Sequence, residues 1–322
     1  MNVISKKLST ITALCSVVFS LSVAAASPAD KYPESLLYSK PVQVTDRVWS
    51  AIGATQYYSY ENAGHNNNLS FVIGDESVLV VNGGASYLLA QALHDEIKKL
   101  TELPVKYVVD ENGQSHAVLG NSYWKAQGSH IIAHEDALEE IDEQALDGLA
   151  TLQGILKERA EKTTVVEVDE TFTDKMKLDL GGLTVELIRF GPAHSVGDIS
   201  VFVPEGNVLI AGDMAFQQRL LPIFPDTDTS EWLNTWHESF TPLAKDKIII
   251  PGHGEVTDFA TVDKWTRGYL EFLREKVAAL LEDGGALEDA YAIDQSPYAH
   301  LETFEQLAGK NAGRVFEAME FE

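Results

Sequence analysis

Three side chains that can bind a metal occupy equivalent places in the second half of the sequence. His194, Asp213 and His253 each come shortly after a short apolar run, with a glycine or proline in between. Loops at strand ends often carry functional groups, because the strands hold them in place. A single residue of this kind is usually a cap or a buried hydrogen-bonding group. Three with the same placement predict convergence on one ion, and imidazole and carboxylate groups suit Zn²⁺ and related metals.

Strand-like and helix-like segments alternate around these positions. Apolar runs bounded by turn residues predict strands at 48–52, 69–73, 78–81, 105–109, 131–133, 183–188, 199–203, 208–211 and 247–250. Apolar residues at spacings of three and four predict helices over 88–100, 138–156, 230–240 and 262–280. The turn residues 204–207 predict a hairpin. The chain has no linker or repeat, so the pattern predicts one domain of the α/β class with sheets in the middle and helices outside.

Several segments resemble signature stretches of the metallo-β-lactamase superfamily. They are GPAHSVGD at 191–198, AGD at 211–213 and PGHG at 251–254, in the order of that superfamily. Residues 68–83 resemble its early strand pair, and LGN at 119–121 resembles the helix start after its main motif. The resemblance runs from about Val44 to the C-terminus and points to secreted members grouped with quinoprotein-associated hydrolases. It implies a four-layer αββα sandwich, formed by residues 27–322 with a helical C-terminal portion.

The chain departs from the superfamily at its main metal-binding motif, HxHxDH. The LGN segment fixes the register, so the four motif ligands fall on Asn112, Gln114, His116 and Ala117. The resemblance implies a first metal held by the two leading motif histidines and the residue matching His194. It implies a second metal held by the motif's Asp and last His, with the residues matching His253 and Asp213. Because neutral amide oxygens are weak zinc ligands, Asn112, Gln114 and His194 are predicted to make a poor first site.

The ligands that remain for the second metal are His116, Asp213 and His253, with possible help from His194. They predict at most one Zn²⁺ or other divalent transition metal, with an open position for water. Asp213 is the predicted catalytic group, which would orient or deprotonate that water. The alternative is that His116, which replaces a shorter Asp, points elsewhere and that the other histidines serve only as hydrogen-bonding groups.

Three further residues are predicted near the substrate cleft. Asn112 and Gln114 are placed there by the register of the motif. His65 lies in a loop that flanks the cleft in the superfamily, so it contacts substrate, serves as a substitute metal ligand or is an exposed turn residue. Three tyrosines precede that loop, Tyr57, Tyr58 and Tyr60, and they either wall the pocket or pack as strand residues.

The N-terminus has the order of a secretory signal peptide. Lys6 and Lys7 precede an apolar run that ends in three alanines before Ser27. The pattern predicts a signal peptide at 1–26, a periplasmic or secreted mature chain and no membrane attachment after cleavage, with an uncleaved anchor as the alternative. Cys15 is the only cysteine and lies in the signal, so neither a disulfide nor a thiolate ligand is expected in the mature protein.

The composition is strongly acidic and limits the partners. The chain has 49 Asp and Glu against 24 Lys and Arg, for a formal net charge of −25. Such a surface repels phosphate backbones and anionic lipids, so no nucleic-acid or membrane partner is expected and a small-molecule substrate or ligand is favoured.

These features leave three functions open. The first is an exported metal-dependent hydrolase that cleaves ester, thioester, lactone or amide bonds. The second is a catalytically inactive binding protein that keeps the cleft without the chemistry. The third is a stable remnant whose surface serves a partner. The fold alone does not choose among substrates.

Overall fold

A computed structural model describes residues 35–322, and two β-sheets form its centre. The first sheet has seven strands in chain order: β1 (Val42–Gln43), β2 (Val48–Ala51), β3 (Leu69–Ile73), β4 (Val78–Val81), β5 (Val105–Val109), β6 (His130–His134) and β7 (Glu170–Phe172). Strands β1 to β4 pair antiparallel, whereas β4 to β7 pair parallel. The parallel pairing brings the loops that follow β4 and β5 to one edge of the sheet.

The second sheet has six strands in the spatial order β13-β12-β11-β10-β9-β8. These are β8 (Lys175–Asp179), β9 (Thr184–Ile188), β10 (Ser200–Val203), β11 (Val208–Phe216), β12 (Ile248–His253) and β13 (Thr257–Asp258). Strands β11 and β12 pair parallel, with Val208 opposite Ile248 and Gly212 opposite Pro251. Asp213 on β11 and His253 at the end of β12 therefore reach the same edge of this sheet.

Ten α-helices lie outside the sheets. They are α1 (Tyr87–Ile97), α2 (Ser115–Val118), α3 (Asn121–Gln127), α4 (Glu135–Leu156), α5 (Thr229–Thr235), α6 (Thr241–Ala244), α7 (Phe259–Val262), α8 (Gly268–Glu282), α9 (Leu287–Ala290) and α10 (Phe304–Met319), all within residues 35–322. Two π-helical turns, Trp236–Phe240 and Asp263–Arg267, join α5 to α6 and α7 to α8. Two 3₁₀ turns lie at Lys157–Ala160 and Ser296–Tyr298. None of these helices is long and apolar enough to cross a membrane.

Three apolar clusters hold the layers together. One lies between the sheets and includes Leu79 of β4 and Ile210 of β11. A second packs the outer face of the first sheet against α1, α3 and α4, and the third packs the second sheet against α5, α8 and α10. The result is the four-layer αββα sandwich that the resemblance implied, which confirms that prediction.

The structure changes several predicted boundaries. Strand β11 runs through Phe216 rather than ending at Ala211, because Gly212 and the polar Asp213 are themselves buried strand residues. Helix α1 ends at Ile97, so Leu100 lies beyond it and half exposed. The predicted helix over 262–280 is divided by a π turn, and its last part reaches Glu282. The predicted signal peptide lies outside the described residues.

Candidate metal centre

The ligand atoms of three residues, His116, Asp213 and His253, lie close together at one edge of the sandwich. Nε2 of His116 lies 3.5 Å from Oδ2 of Asp213, and Nε2 of His253 lies 3.3 Å from Oδ1 of Asp213. Ligand atoms of all three buried residues lie within 4.8 Å of one another, and no other such group exists within residues 35–322. His116 lies in α2, the short helix that follows the loop after β5.

The spacing of these atoms fits a divalent ion. Two donors bound to one tetrahedral zinc ion at about 2.0–2.1 Å lie about 3.3 Å from each other. Nε2 of His116 and both carboxylate oxygens of Asp213 are buried without a hydrogen-bond partner in the described part of the chain. Buried polar atoms without partners are costly, and a bound cation would give a partner to Nε2 of His116 and to the carboxylate of Asp213. The donor set therefore fits a metal.

Two glycines leave the space that the carboxylates at the centre occupy. A Cβ atom at Gly252 would lie 2.0 Å from Oδ1 of Asp213. Gly212 has a φ of +62°, and a Cβ atom there would lie 1.9 Å from Oε2 of Glu111. A larger residue at either position would displace a carboxylate, which explains Gly212 in the AGD segment and Gly252 in the PGHG segment.

A backbone carbonyl fixes the orientation of His253. Its Nδ1 lies 2.6 Å from the carbonyl oxygen of Asn66, which can only accept a hydrogen bond. Nδ1 therefore carries the proton, and Nε2 keeps its lone pair toward Asp213, as is usual for a metal-binding histidine. The loop is held in turn by Asn68, whose amide donates to the carbonyls of Pro251 and Gly254 at 2.8 and 2.7 Å.

Burial sets the charge states at the centre. It lowers the pKa of both His116 and His253, which favours neutral imidazoles with lone pairs free for a metal. It raises the pKa of Asp213 well above the usual value, and the nearby Glu111 carboxyl raises it further. A bound cation would reverse this effect on Asp213, because it favours the carboxylate form.

His194 lies beside the group of three rather than within it. Its Nε2 is 3.8 Å from Oδ2 of Asp213. The ring packs against Phe216, Phe224 and Trp232, and burial lowers the pKa of His194 to about 3. His194 is therefore a neutral side chain next to the centre.

Glu111 is a buried residue at the centre that the sequence analysis did not single out. Its Oε1 lies 3.6 Å from Nε2 of His116. Neither of its carboxylate oxygens has a hydrogen-bond partner, and only 1% of the residue is exposed. Burial, reinforced by the Asp198 carboxyl, raises the pKa of Glu111 to about 8. The signal in the sequence was only that two acidic residues follow the apolar strand β5.

Arg219 is the second residue that sequence reasoning missed. It is buried, and its Nη1 lies 3.2 Å from Nδ1 of His253. Because that nitrogen already donates to Asn66, it is not free to accept from the guanidinium. Within residues 35–322, Arg219 forms no salt bridge and its Nε has no hydrogen-bond partner. It is a buried cation facing the cleft without a carboxylate bonded to it.

Two of the three predicted cleft residues have other roles. Asn112 is fully buried; its amide nitrogen donates to Oδ1 of Asp198 at 3.2 Å, and its oxygen accepts from the backbone N–H of Gln114 at 3.1 Å. His65 is also fully buried; its Nδ1 accepts from the N–H of Tyr38, and its Nε2 lies 3.2 Å from the carbonyl of Ala51. The prediction that these two residues line the cleft is wrong, because their polar atoms are used inside loops. The alternative of an exposed turn for His65 is wrong for the same reason.

The cleft beside the centre has a charge difference between its two sides. A cavity of about 180 Å³ is lined by the ligand group together with Tyr57, Tyr58, Gln114, Phe224, Arg219, Lys310 and Arg314. A neighbouring cavity of about 450 Å³ shares Gln114 and His116 and is lined by Glu140, Glu143, Asp147 and Asp226. One side of the centre is therefore basic and the other acidic.

A two-sheet αββα sandwich with imidazole and carboxylate groups at the shared sheet edge defines a hydrolase fold of the metallo-β-lactamase type. The family model described as the metallo-beta-lactamase superfamily matches residues 64–253. The chain belongs to the metallo-β-lactamase superfamily, whose members are generally metal-dependent hydrolases and typically bind zinc.

Individual relatives are distant. The probable metallo-hydrolase YqgX of Bacillus subtilis (strain 168) is 23% identical over 197 residues, which cover 60% of this chain and 88% of that protein. The metallo-beta-lactamase type 2 of Bacteroides fragilis is 21% identical over 227 residues, which cover 70% and 86%. Among solved structures, a metallo-beta-lactamase from Pontibacter korlensis has a TM-score of 0.58 and 18% identity, covering 72% of this chain and 98% of that one. At this identity the structural likeness shows the fold alone.

Proposed function

We propose that the mature chain is an exported hydrolase that uses one divalent metal ion to cleave an ester, thioester, lactone or amide bond of a small molecule. The observation that carries the proposal is the convergence of His116, Asp213 and His253 within 4.8 Å at a buried cleft. Membership of the superfamily supports hydrolysis. Export rests on the predicted signal peptide at 1–26.

The residues at the centre have separate roles in this reaction. A divalent ion, when bound, supplies Lewis-acid activation of water and of the scissile carbonyl. His116 and His253 would hold the ion through neutral imidazole nitrogens, and Asp213 would hold it through one carboxylate oxygen. The other oxygen of Asp213 can accept a proton from the attacking water, as a general base does.

The basic side of the cleft supports a substrate that carries an anionic group. Arg219, Lys310 and Arg314 line the same cavity as the centre, and none of them forms a salt bridge within residues 35–322. Arg314 donates instead to the carbonyl oxygen of Ile223. A carboxylate on the substrate would find these cations on one side and would be repelled by Glu140 and Asp226 on the other.

A non-catalytic binding protein is the second candidate. Asn112 stands where the superfamily motif begins with a histidine, and its amide is bonded to Asp198 and to the Gln114 backbone rather than directed to the cleft. The basic cavity remains open all the same. This combination favours ligand binding without hydrolysis if no ion is held.

Metal analysis joined to hydrolysis assays tests the proposal. After dialysis against a limited zinc excess, the protein should hold at most one ion per chain, because too few good ligands remain for two. His253→Ala and Asp213→Ala should lose both the ion and hydrolysis of chromogenic ester, thioester, lactone and β-lactam substrates. Asn112→Ala should keep the ion, and the exposed His237→Ala serves as control.

Two tightly held ions per chain would contradict the proposal of a single metal ion. An absence of both metal and hydrolysis in the wild-type protein would favour the binding protein. Sequencing the N-terminus of the exported protein tests export, because a mature chain that retains Lys6 rules out cleavage after Ala26.

A further inference from the structure

We propose that Glu111 is a fourth protein ligand of the metal centre, so that the ion is held by two imidazoles and two carboxylates. The inference rests on the proposed metal-dependent function, because it requires an ion at the centre. It goes beyond that function by adding a ligand from a position at which the superfamily motif has none.

The Glu111 carboxylate lies near the nitrogen of His116 that would bind the ion. A metal bound to Nε2 of His116 lies about 2.0–2.1 Å from that nitrogen, along its lone pair. Oε1 of Glu111 and Oδ2 of Asp213 lie 3.6 and 3.5 Å from the same nitrogen. The two oxygens are therefore at nearly equal distances from the ligand nitrogen. Glu111 lies just outside the three residues whose ligand atoms are all within 4.8 Å of one another, so its side chain would turn toward the ion on binding.

The surroundings of Glu111 compensate its carboxylate only in part: the Asn82 side chain and the Asp213 backbone lower its pKa, but burial outweighs them. Both oxygens are buried and lack a hydrogen-bond partner within residues 35–322. The carboxylate occupies the space left by Gly212, where a Cβ atom would lie 1.9 Å from Oε2. An unpaired buried carboxylate is costly, and coordination to a cation is one of the few ways to offset that cost.

With Glu111 included, the number and type of ligands match those that the resemblance implied for the second metal. The resemblance implied two carboxylates and two imidazoles for the second metal of the superfamily. In this chain His116 replaces the carboxylate of the motif, and Ala117 replaces its last imidazole. With Glu111 included, the ion would again have two imidazoles, from His116 and His253, and two carboxylates, from Asp213 and Glu111. The imidazole and the carboxylate that come from the motif region stand at different positions than in the superfamily. Such a mixed set suits Zn²⁺, Fe²⁺ or Mn²⁺ rather than the soft Cu⁺ ion.

Metal titration of full-length mature variants tests the inference. Metal-free wild-type protein, Glu111→Gln and Glu140→Gln are titrated with Co²⁺ and Zn²⁺, and the visible Co²⁺ spectrum reports the coordination of the ion. Glu140 is the matched control because it is a largely buried carboxyl with a raised pKa in the neighbouring cavity, outside the ligand group. We expect Glu111→Gln to weaken Co²⁺ and Zn²⁺ binding at least tenfold and to change the intensity of the Co²⁺ bands. Glu140→Gln should keep both.

The outcomes separate this inference from the proposed function. If the wild-type protein binds Co²⁺ or Zn²⁺ and Glu111→Gln matches its affinity or its spectrum, Glu111 is not a ligand. If the wild-type protein binds neither ion, the metal-dependent function itself fails. Should Glu111→Gln fail to give a cooperative melting transition, Glu111→Asp replaces it; the shorter side chain should weaken binding, and unchanged affinity overturns the inference.

Discussion

Buried carboxyl groups dominate the centre at the scale of single residues. Glu111, Asp198 and Asp213 lie near one another. In addition to the effect of burial, Glu111 and Asp198 both raise the pKa of Asp213, and Asp198 raises the pKa of Glu111. The three histidines at the centre have lowered pKa values, so they offer little positive charge in return. Arg219 is the one cation buried among these groups in the described residues. Without a metal, the centre therefore reduces the stability of the fold at neutral pH.

Glu140 allows this idea to be tested away from the ligands. Burial, followed by the charges of Asp198 and Asp226, raises its pKa from 4.5 to about 7, although it accepts a hydrogen bond from the N–H of Gly113. Because the folded pKa is raised, the stability that the protonated group contributes is fully present below about pH 4.5 and is lost as the pH rises through about 7. Glu140→Gln should therefore stabilise the metal-free protein by about 1–3 kcal/mol at pH 8 and hardly at all at pH 5.

Urea unfolding at the two pH values measures this difference. An equal effect at both pH values, or a larger one at pH 5, would contradict the raised pKa of Glu140.

At the scale of elements, the parallel neighbours β11 and β12 position two of the three clustered ligands, Asp213 and His253. The sequence predicted their apolar runs and the residues that follow, because those runs are buried on both faces. It did not predict β7 and β8, which are edge strands whose residues are mostly exposed and polar. Glu111 could not be found this way, because its carboxylate is directed by the space at Gly212, on a strand of the other sheet.

Helix α10 lines part of the cleft. Lys310 and Arg314 are four residues apart on this helix, so they lie one above the other on one face. Both line the cavity at the centre. The sequence analysis predicted only a helical C-terminal portion here, so the position of these two cations at the cleft became evident from the structure.

Replacing these two cations tests the preference for an anionic substrate. Lys310→Met and Arg314→Met should each raise KM for a carboxylate-bearing ester about 3- to 10-fold, because each removes one partly exposed charge pair. The KM for a neutral ester of the same shape should stay the same, and added salt should reduce the difference between the two esters. Lys276→Met, which removes an exposed lysine on α8, is the control. Equal changes for both esters would contradict an electrostatic role.

At the scale of the whole molecule, the apolar core is independent of the metal centre. Each of the two outer clusters joins one sheet to its helices, and the third joins the sheets to each other. The ligand group lies at one edge of the sandwich, where it contacts the clusters without dividing them. A chain of this length can bury enough apolar surface to fold without an ion, unlike small zinc modules.

Removal of the ion should accordingly lower the melting temperature without unfolding the protein at room temperature. Binding of an ion present at about 100 to 1,000 times its dissociation constant stabilises the folded state by about 2.7–4.1 kcal/mol. For a domain of this size, such a loss lowers Tm by roughly 5–15 °C. Near-ultraviolet circular dichroism should be retained in chelator, because the buried Trp124, Trp232 and Trp236 are packed within the outer clusters. Melting followed by circular dichroism, with and without chelator, measures both quantities. Complete loss of the near-ultraviolet signal in chelator would mean that the ion holds the two sheets together, and the separation of core from centre argued above would be wrong.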